Sequence, residues 1–413
     1  MIEKTKNLLR HYAEMVSIHF KNGKPISKKK PFIPAATYIN TEHKLESFVK
    51  KMKYVNEISV DIEGNSLYTY YPKICLIQIS TRSENFIIDP LSIKNASLLD
   101  SIFSDKNIQK VFHGATYDTQ MLYSHLGIIV NNLFDTQIAV SFLGEKRTSL
   151  DFLVEKNFNV HLEKKYQKSN WAIRPLSKKM LEYAISDTKY LLPLADILKK
   201  ALINKNRLSW VTEECEILAG SAKHHQSEKV LNMKGFGKIP KTCYPILVEI
   251  LTLREEIAKE KDIPPFKVLD KQTIYKIITE NSLTLEKLKQ ITSSYRQIQD
   301  YLPLMFEKIQ HPQHQNRFPR KNLIHKQNNY HPDFSQKAEK LHIWRDSKAA
   351  ELKIAPHLVL SHRQISSLAS ASINNINDIR QVKILKTWQK QQFGDEIYRI
   401  VYSAKNIKDK SRS

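Results

Sequence analysis

Every stretch with strand periodicity falls before residue 115, and beyond it apolar residues recur at helical spacing. That order predicts an α/β domain followed by all-α ones. The strand-like segments are ISVDIE (58–63), ICLIQIS (74–80), FIIDP (86–90) and KVFHG (110–114). Before them Leu45, Phe48, Val49 and Met52 repeat as on a helix, with Thr41 placed to cap it. ICLIQIS is mostly apolar and lacks a polar face, so it reads as a buried strand within a mixed sheet packed by helices. ISVDIE is different. Strand side chains alternate, so Ile58, Val60 and Ile62 share one face while Ser59, Asp61 and Glu63 share the other. The apolar face suits a core; the other face carries two carboxylates that repel each other.

A chain of 413 residues is long enough for two or three domains, each with its own core. Its net charge of +23 is uneven: +6 over residues 1–50, +3 over 51–200 and +14 over 201–413. The acidic strand thus lies in a nearly balanced segment between basic ones. A basic surplus suits a polyanionic partner, with solubility as its plainer explanation. A membrane surface is disfavoured, because the lysines lie on no amphipathic helix with an aromatic apolar face, and no stretch is long and apolar enough to span a bilayer. Cys75, Cys215 and Cys243 are far apart, with neither zinc nor disulfide spacing, which fits a reducing compartment. The first twenty residues lack a signal-peptide core, and Glu3 and Glu14 fall where organellar presequences avoid acids, so the expected location is the cytoplasm.

The chain divides by composition and repetition. Residues 1–35 form a basic extension, and 36–205 hold the strands and the helices that cover them. Two later segments share one order of features. In each, an apolar helix runs into Arg254-Glu255 or Arg345-Asp346, then Ala258 or Ala349, Pro264 or Pro356, a capping Asp270 or Ser361, and a new helix. Matching order and spacing indicate an internal duplication, placed at 206–311 and 336–403. Residues 312–335 between the copies form a basic, Pro-containing linker, and 404–413 a basic tail.

An isolated Asp-x-Glu is ordinarily a solvated face, so a metal reading needs more carboxylates. Asp118 follows KVFHG in the first turn of a helix, where the dipole alone favours an acid. Asp187 lies four residues after Tyr183 on a helix, so phenol and carboxylate share a face, although a tyrosine so placed can simply be core.

Together Asp61, Glu63, Asp118, Asp187 and Tyr183 resemble the acidic set of the DEDD superfamily of 3′-5′ exonucleases, in its tyrosine-bearing branch, and within it the ribonuclease D family. SVDIEG, ICLIQIS, FIIDP, VFHGATYD, LFDTQIA, WAIRPLS and YAISDTKYL occur in that family's order, and the duplicated units resemble its helical HRDC domains. Glu182 stands where the histidine branch would carry its His. The resemblance implies a ribonuclease H-like mixed-sheet exonuclease domain and two all-α HRDC-like domains. It implies two divalent cations, Mg²⁺ or Mn²⁺, held by the four acids, with Tyr183 orienting or helping to deprotonate the attacking water, and no organic cofactor. The implied partner is RNA: 3′ ends of tRNA precursors and other small structured RNAs, trimmed to nucleoside 5′-monophosphates. The residues themselves leave RNA and DNA open, since the acids treat both backbones alike. A 3′-5′ DNA exonuclease and a nuclease-inactive nucleic-acid scaffold remain the rival readings. His113, Arg174 and Gln78 are candidate substrate contacts; His113 could equally be structural, and Arg174 could instead pin its loop to an acid. Asp135 reads as structural support, and Trp171 as a packing anchor.

Overall fold

A computed structural model describes residues 36–222, 236, 239–280, 282–312 and 333–406, together with 20–21 and 24–25. Residues 1–35 form a separate unit in which Phe20–Lys21 pairs antiparallel with Lys24–Pro25. Most of the expected linker and tail, and the His224–His225 pair, lie outside the described residues.

The second unit is built on a six-stranded sheet. Its strands are β1 (Thr37–Ile39), β2 (Glu57–Gly64), β3 (Ile74–Ser80), β4 (Asn85–Ile88), β5 (Gln109–Phe112) and β6 (Leu133–Asp135). They lie in the order β1-β4-β3-β2-β5-β6, with β3 antiparallel to both its neighbours and the remaining pairs parallel. The first-domain helices are α1 (Glu42–Met52), α2 (Asp100–Phe103), α3 (Thr116–Leu126), α4 (Thr136–Leu143), α5 (Leu150–Phe158), α6 (Lys178–Lys189), α7 (Leu191–Asn204) and α8 (Leu208–Ser221). Thr41 caps α1 as expected, its hydroxyl accepting from the Lys44 amide. Ile58, Val60 and Ile62 enter the main core beside Ile77, Ile79 and Ile88. Helix α6 packs across β2, β3 and β4, where Ala184 and Ile185 join Leu76, Ile87 and Trp171 in a second cluster.

The structure departs from the sequence reading in two places. The helical run after residue 115 is interrupted by β6, and β1 precedes the first expected strand; each has three residues, too few to display a period of two. Helix α8 falls in the span read as the start of the first repeat, yet Trp210, Val211 and Cys215 are buried in the core of the α/β domain. An apolar helix does not reveal from its own sequence which core it joins.

The repeats are helical. In the first, Tyr244–Glu260, Lys271–Thr279 and Leu302–Gln310 enclose a core of their own; in the second, Phe334–Leu352, His362–Ser370 and Thr387–Asn406 pack around Leu341, Leu368 and Ile397, which are continuous with the core of the α/β domain. Asp270 and Ser361 cap equivalent helices, as the duplication required. The first repeat meets the α/β domain at the loop after β2: Asp262 accepts from the amides of Tyr70 (3.0 Å) and Tyr71 (3.2 Å), and Lys267 lies over the Tyr68 ring.

The second repeat is more deeply joined. Trp388 stacks on Trp210 with ring centroids 4.6 Å apart, and Glu213 of α8 accepts from the amides of Thr387 (2.6 Å) and Trp388 (2.8 Å). At the end of α4, Gly144 has φ +89°, and a Cβ there would sit 2.0 Å from the Lys353 carbonyl oxygen. Gly144→Ala therefore meets both a left-handed backbone and an immovable neighbour. The expected loss is about 2–3 kcal/mol, with proteolysis of the second repeat increased at temperatures where the parent resists. Melting and limited trypsin digestion check this; a variant as stable as the parent contradicts it.

Candidate active site

Asp61 and Glu63 leave β2 on the face covered by α6, because strand alternation sends the isoleucines the other way. Opposite them, α6 starts at a Ser177 cap and presents Tyr183 and Asp187 one turn apart. Oxygens of Asp61, Glu63 and Asp187 all lie within 4.8 Å of one another. Asp118 stands at the start of α3, 7 % exposed, outside that tight trio but close enough to act on it electrostatically.

Burial, and then mutual repulsion, governs the charge of these groups. Burial pushes Asp61 up to about 6. Glu63 is pushed up to about 10 by burial and then by the charges of Asp61, Asp187 and Asp118, so it feels all three other acids. Burial followed by Asp61 raises both Asp118 and Asp187 well above the usual carboxylate range. Such a set favours protonation when alone and full ionisation beside hard cations, whose preferred donors are carboxylate oxygens. The donors thus fit divalent metal. Tyr183 is raised by burial and then by Asp187, to which its hydroxyl donates, so its phenol stays protonated at neutral pH. Trp171, 6.0 Å from the Tyr183 ring, backs it as a packing anchor.

Asp61, Glu63 and Asp187 open into a cleft of about 340 Å³ that is also lined by His113, Ser149, Asp151, Glu163, Lys164 and Gln167. Of the candidate substrate contacts only His113 lines it, held by Thr136 (Nδ1 to Oγ1 2.9 Å) with its pKa lowered by burial. Arg174 is committed elsewhere: Nε and Nη2 donate to Asp89 (2.7 and 2.8 Å), Nη1 to the Trp171 carbonyl (2.7 Å) and Nη2 also to the Cys75 carbonyl (2.8 Å). Of its two open uses, the structure shows loop pinning. Gln78 is fully buried behind Asp61 and presents no surface to substrate. Asp135 caps α4 and also accepts from the amides of Gly114 (3.0 Å) and Ala115 (2.8 Å), fixing the turn that leads to Asp118. The sequence does not single out Lys164, which pairs with Asp151 at 2.9 Å on the wall of the cleft; Asp151 opens helix α5 and Lys164 lies in the loop beyond it, so no shared periodicity relates the two. A larger cavity of about 820 Å³, between α4 and the second repeat, is lined by Gly144, Lys353 and Ile354, whereas among the described residues the trio of converging carboxylates lies at the smaller cleft.

Residues 36–203 match the 3′-5′ exonuclease family, and residues 245–309 and 336–401 each match the HRDC domain. Ribonuclease D of Desulfotalea psychrophila is 31% identical over 268 residues, 64% of this chain and 72% of that protein. Exosome complex exonuclease RRP6 of Saccharomyces cerevisiae is 41% identical over 183 residues, 44% of this chain but 25% of its own length, so the match spans only a quarter of that relative. The crystal structure of Escherichia coli RNase D, an exoribonuclease involved in structured RNA processing, superposes with a TM-score of 0.64 over 89% of this chain and 99% of that one; at 23% identity the likeness is one of fold. With an exonuclease domain, two HRDC domains and this degree of identity to ribonuclease D along most of its length, the chain belongs to the ribonuclease D family.

Proposed function

We propose that the protein is a divalent-metal-dependent 3′-5′ exoribonuclease that trims tRNA precursors and other small structured RNAs, releasing nucleoside 5′-monophosphates in the cytoplasm. The observation that carries this reading is the meeting of Asp61, Glu63 and Asp187 within 4.8 Å, beside Tyr183 and at the edge of a cleft. Asp61, Glu63 and Asp187, with Asp118 behind them, would hold two Mg²⁺ or Mn²⁺ ions. Bound cations of this kind supply hydroxide near neutral pH and neutralise charge on the phosphate and the leaving oxygen. The chain's own part is positioning. Tyr183, kept protonated, orients the attacking water as a hydrogen-bond partner rather than acting as a free base. Lys164 and His113 flank the entering 3′ end, and the basic HRDC domains grip the body of the RNA through its phosphates.

The test is a 5′-labelled RNA with a 3′ overhang, incubated with Mg²⁺ or EDTA beside a matched DNA. Stepwise shortening of the RNA from its 3′ end, only with metal, is expected; preference for DNA would select the DNA exonuclease, and no cleavage of either would select the scaffold. Tyr183→Phe is expected to lower kcat about 100-fold with KM little changed. An unchanged kcat would remove the phenol from the mechanism.

A further inference from the structure

Gln78 is paired with Asp61 across the antiparallel β2–β3 ladder, so both side chains rise from the same face of the sheet. It is 0 % exposed, and neither its carboxamide oxygen nor its nitrogen has a hydrogen-bond partner. Its polar neighbours on that face are satisfied. Ser59 Oγ donates to the Ser80 carbonyl (3.2 Å), while Ser80 Oγ lies 2.8 Å from Asn85 Oδ1 and 2.7 Å from Thr188 Oγ1 on α6. Leu76 and Ile87 beside it, with Ala184 and Ile185 above, would accept an apolar side chain readily. A buried carboxamide left unbonded carries a desolvation penalty that a methionine or leucine would avoid. The glutamine is thus a poor choice for stability in a core position directly opposite Asp61.

We propose that Gln78 is a positioning residue for Asp61: its amide N–H donates to the Asp61 carboxylate when cations are bound, fixing which oxygen faces them. This rests on the metal reading given above. A neutral amide suits the task. A glutamate there would add a fifth carboxylate to the cluster, a lysine would compete with the cations, and an aliphatic side chain could not bond at all. Groups that orient metal ligands in this way commonly contribute about 10–100-fold in affinity.

The experiment compares the full chain with Gln78→Met, measuring metal-free melting, Mn²⁺ affinity by electron paramagnetic resonance of the free ion, and the separate kcat and KM on RNA. The expected variant melts at or above the parent, binds Mn²⁺ about 10–100-fold more weakly, and loses kcat with KM retained. A purely structural glutamine predicts the reverse pattern, lower melting with Mn²⁺ affinity unchanged, and that result would overturn the proposal. If Gln78→Met fails to fold, Gln78→Asn keeps the amide but withdraws it by one methylene; weaker Mn²⁺ binding supports the proposal and parental affinity overturns it. A parent that binds no Mn²⁺ at all would instead overturn the metal reading, and this proposal with it.

Discussion

Asp61→Asn is expected to abolish hydrolysis while leaving the fold intact. The substitution is nearly isosteric, and it removes charge from the acid at the centre of the cluster: Asp61 contributes to the raised pKa of Glu63, Asp118 and Tyr183 alike. Losing one carboxylate that holds the cations should cost about 4 kcal/mol of transition-state stabilisation, or about 1,000-fold in kcat. Stability should move the other way in the absence of metal. Burial raises the folded Asp61 carboxyl to about 6, above the ordinary aspartate value of about 3.9, so its contribution to stability is complete below about pH 4 and is lost as pH rises through about 6. At pH 8 the parent buries an ionised carboxylate and the asparagine variant does not. In EDTA at pH 8 the variant should therefore melt at a higher temperature than the parent, and the gap should narrow toward pH 4. Shortening of RNA at the parental rate would remove Asp61 from the mechanism, and a variant that melts lower at pH 8 would refute the electrostatic account of the cluster.

How much of this site could be read in advance depended on what each residue had to do locally. Asp61 and Glu63 were legible because strand alternation alone places two acids on one face, and Tyr183 and Asp187 because a helix turn aligns them. Their convergence came from family resemblance, since no periodicity relates residue 61 to residue 187. The roles of Arg174 and Gln78 were not legible. Arg174 has five donors that suit phosphate and aspartate equally, and only the fold brings Asp89 to it. Gln78 looked like a polar residue near a site, and its burial follows from α6 closing over β3, a packing no local pattern announces. Likewise the duplication showed that two helical units exist, whereas the docking of the second through Trp388 and Glu213 depends on α8, whose allegiance its own sequence leaves open.

Arg174→Ala should destabilise the protein by about 3–5 kcal/mol, because it strips a buried carboxylate of its only cationic partner among the described residues. Asp89 is 1 % exposed in its side chain, Arg174 26 %, and the guanidinium also holds the carbonyls of Trp171 and Cys75, so the loop that backs Tyr183 is fastened to β3 and β4 through this one group. Burial alone would raise the Asp89 pKa; the hydrogen bonds from Arg174, aided by that from Tyr38 at 2.5 Å, outweigh it and hold the carboxyl below the ordinary aspartate range. A lowered carboxyl contributes stability above its unfolded pKa and loses it as pH falls through the folded value, so in the parent this contribution persists down to about pH 4. Without Arg174, only the hydrogen bonds from Tyr38, Ser92 and the Leu91 amide oppose burial, so the carboxyl is expected to rise above its unfolded value and the sign to reverse: the variant gains by taking up a proton as pH falls. Urea unfolding at pH 7.5 and pH 4.5 separates the cases. The deficit should be largest at pH 7.5 and smaller at pH 4.5. A deficit below about 1 kcal/mol, or one that grows on acidification, would mean that Asp89 does not depend on Arg174 and that the Tyr183 wall is held by its apolar contacts instead.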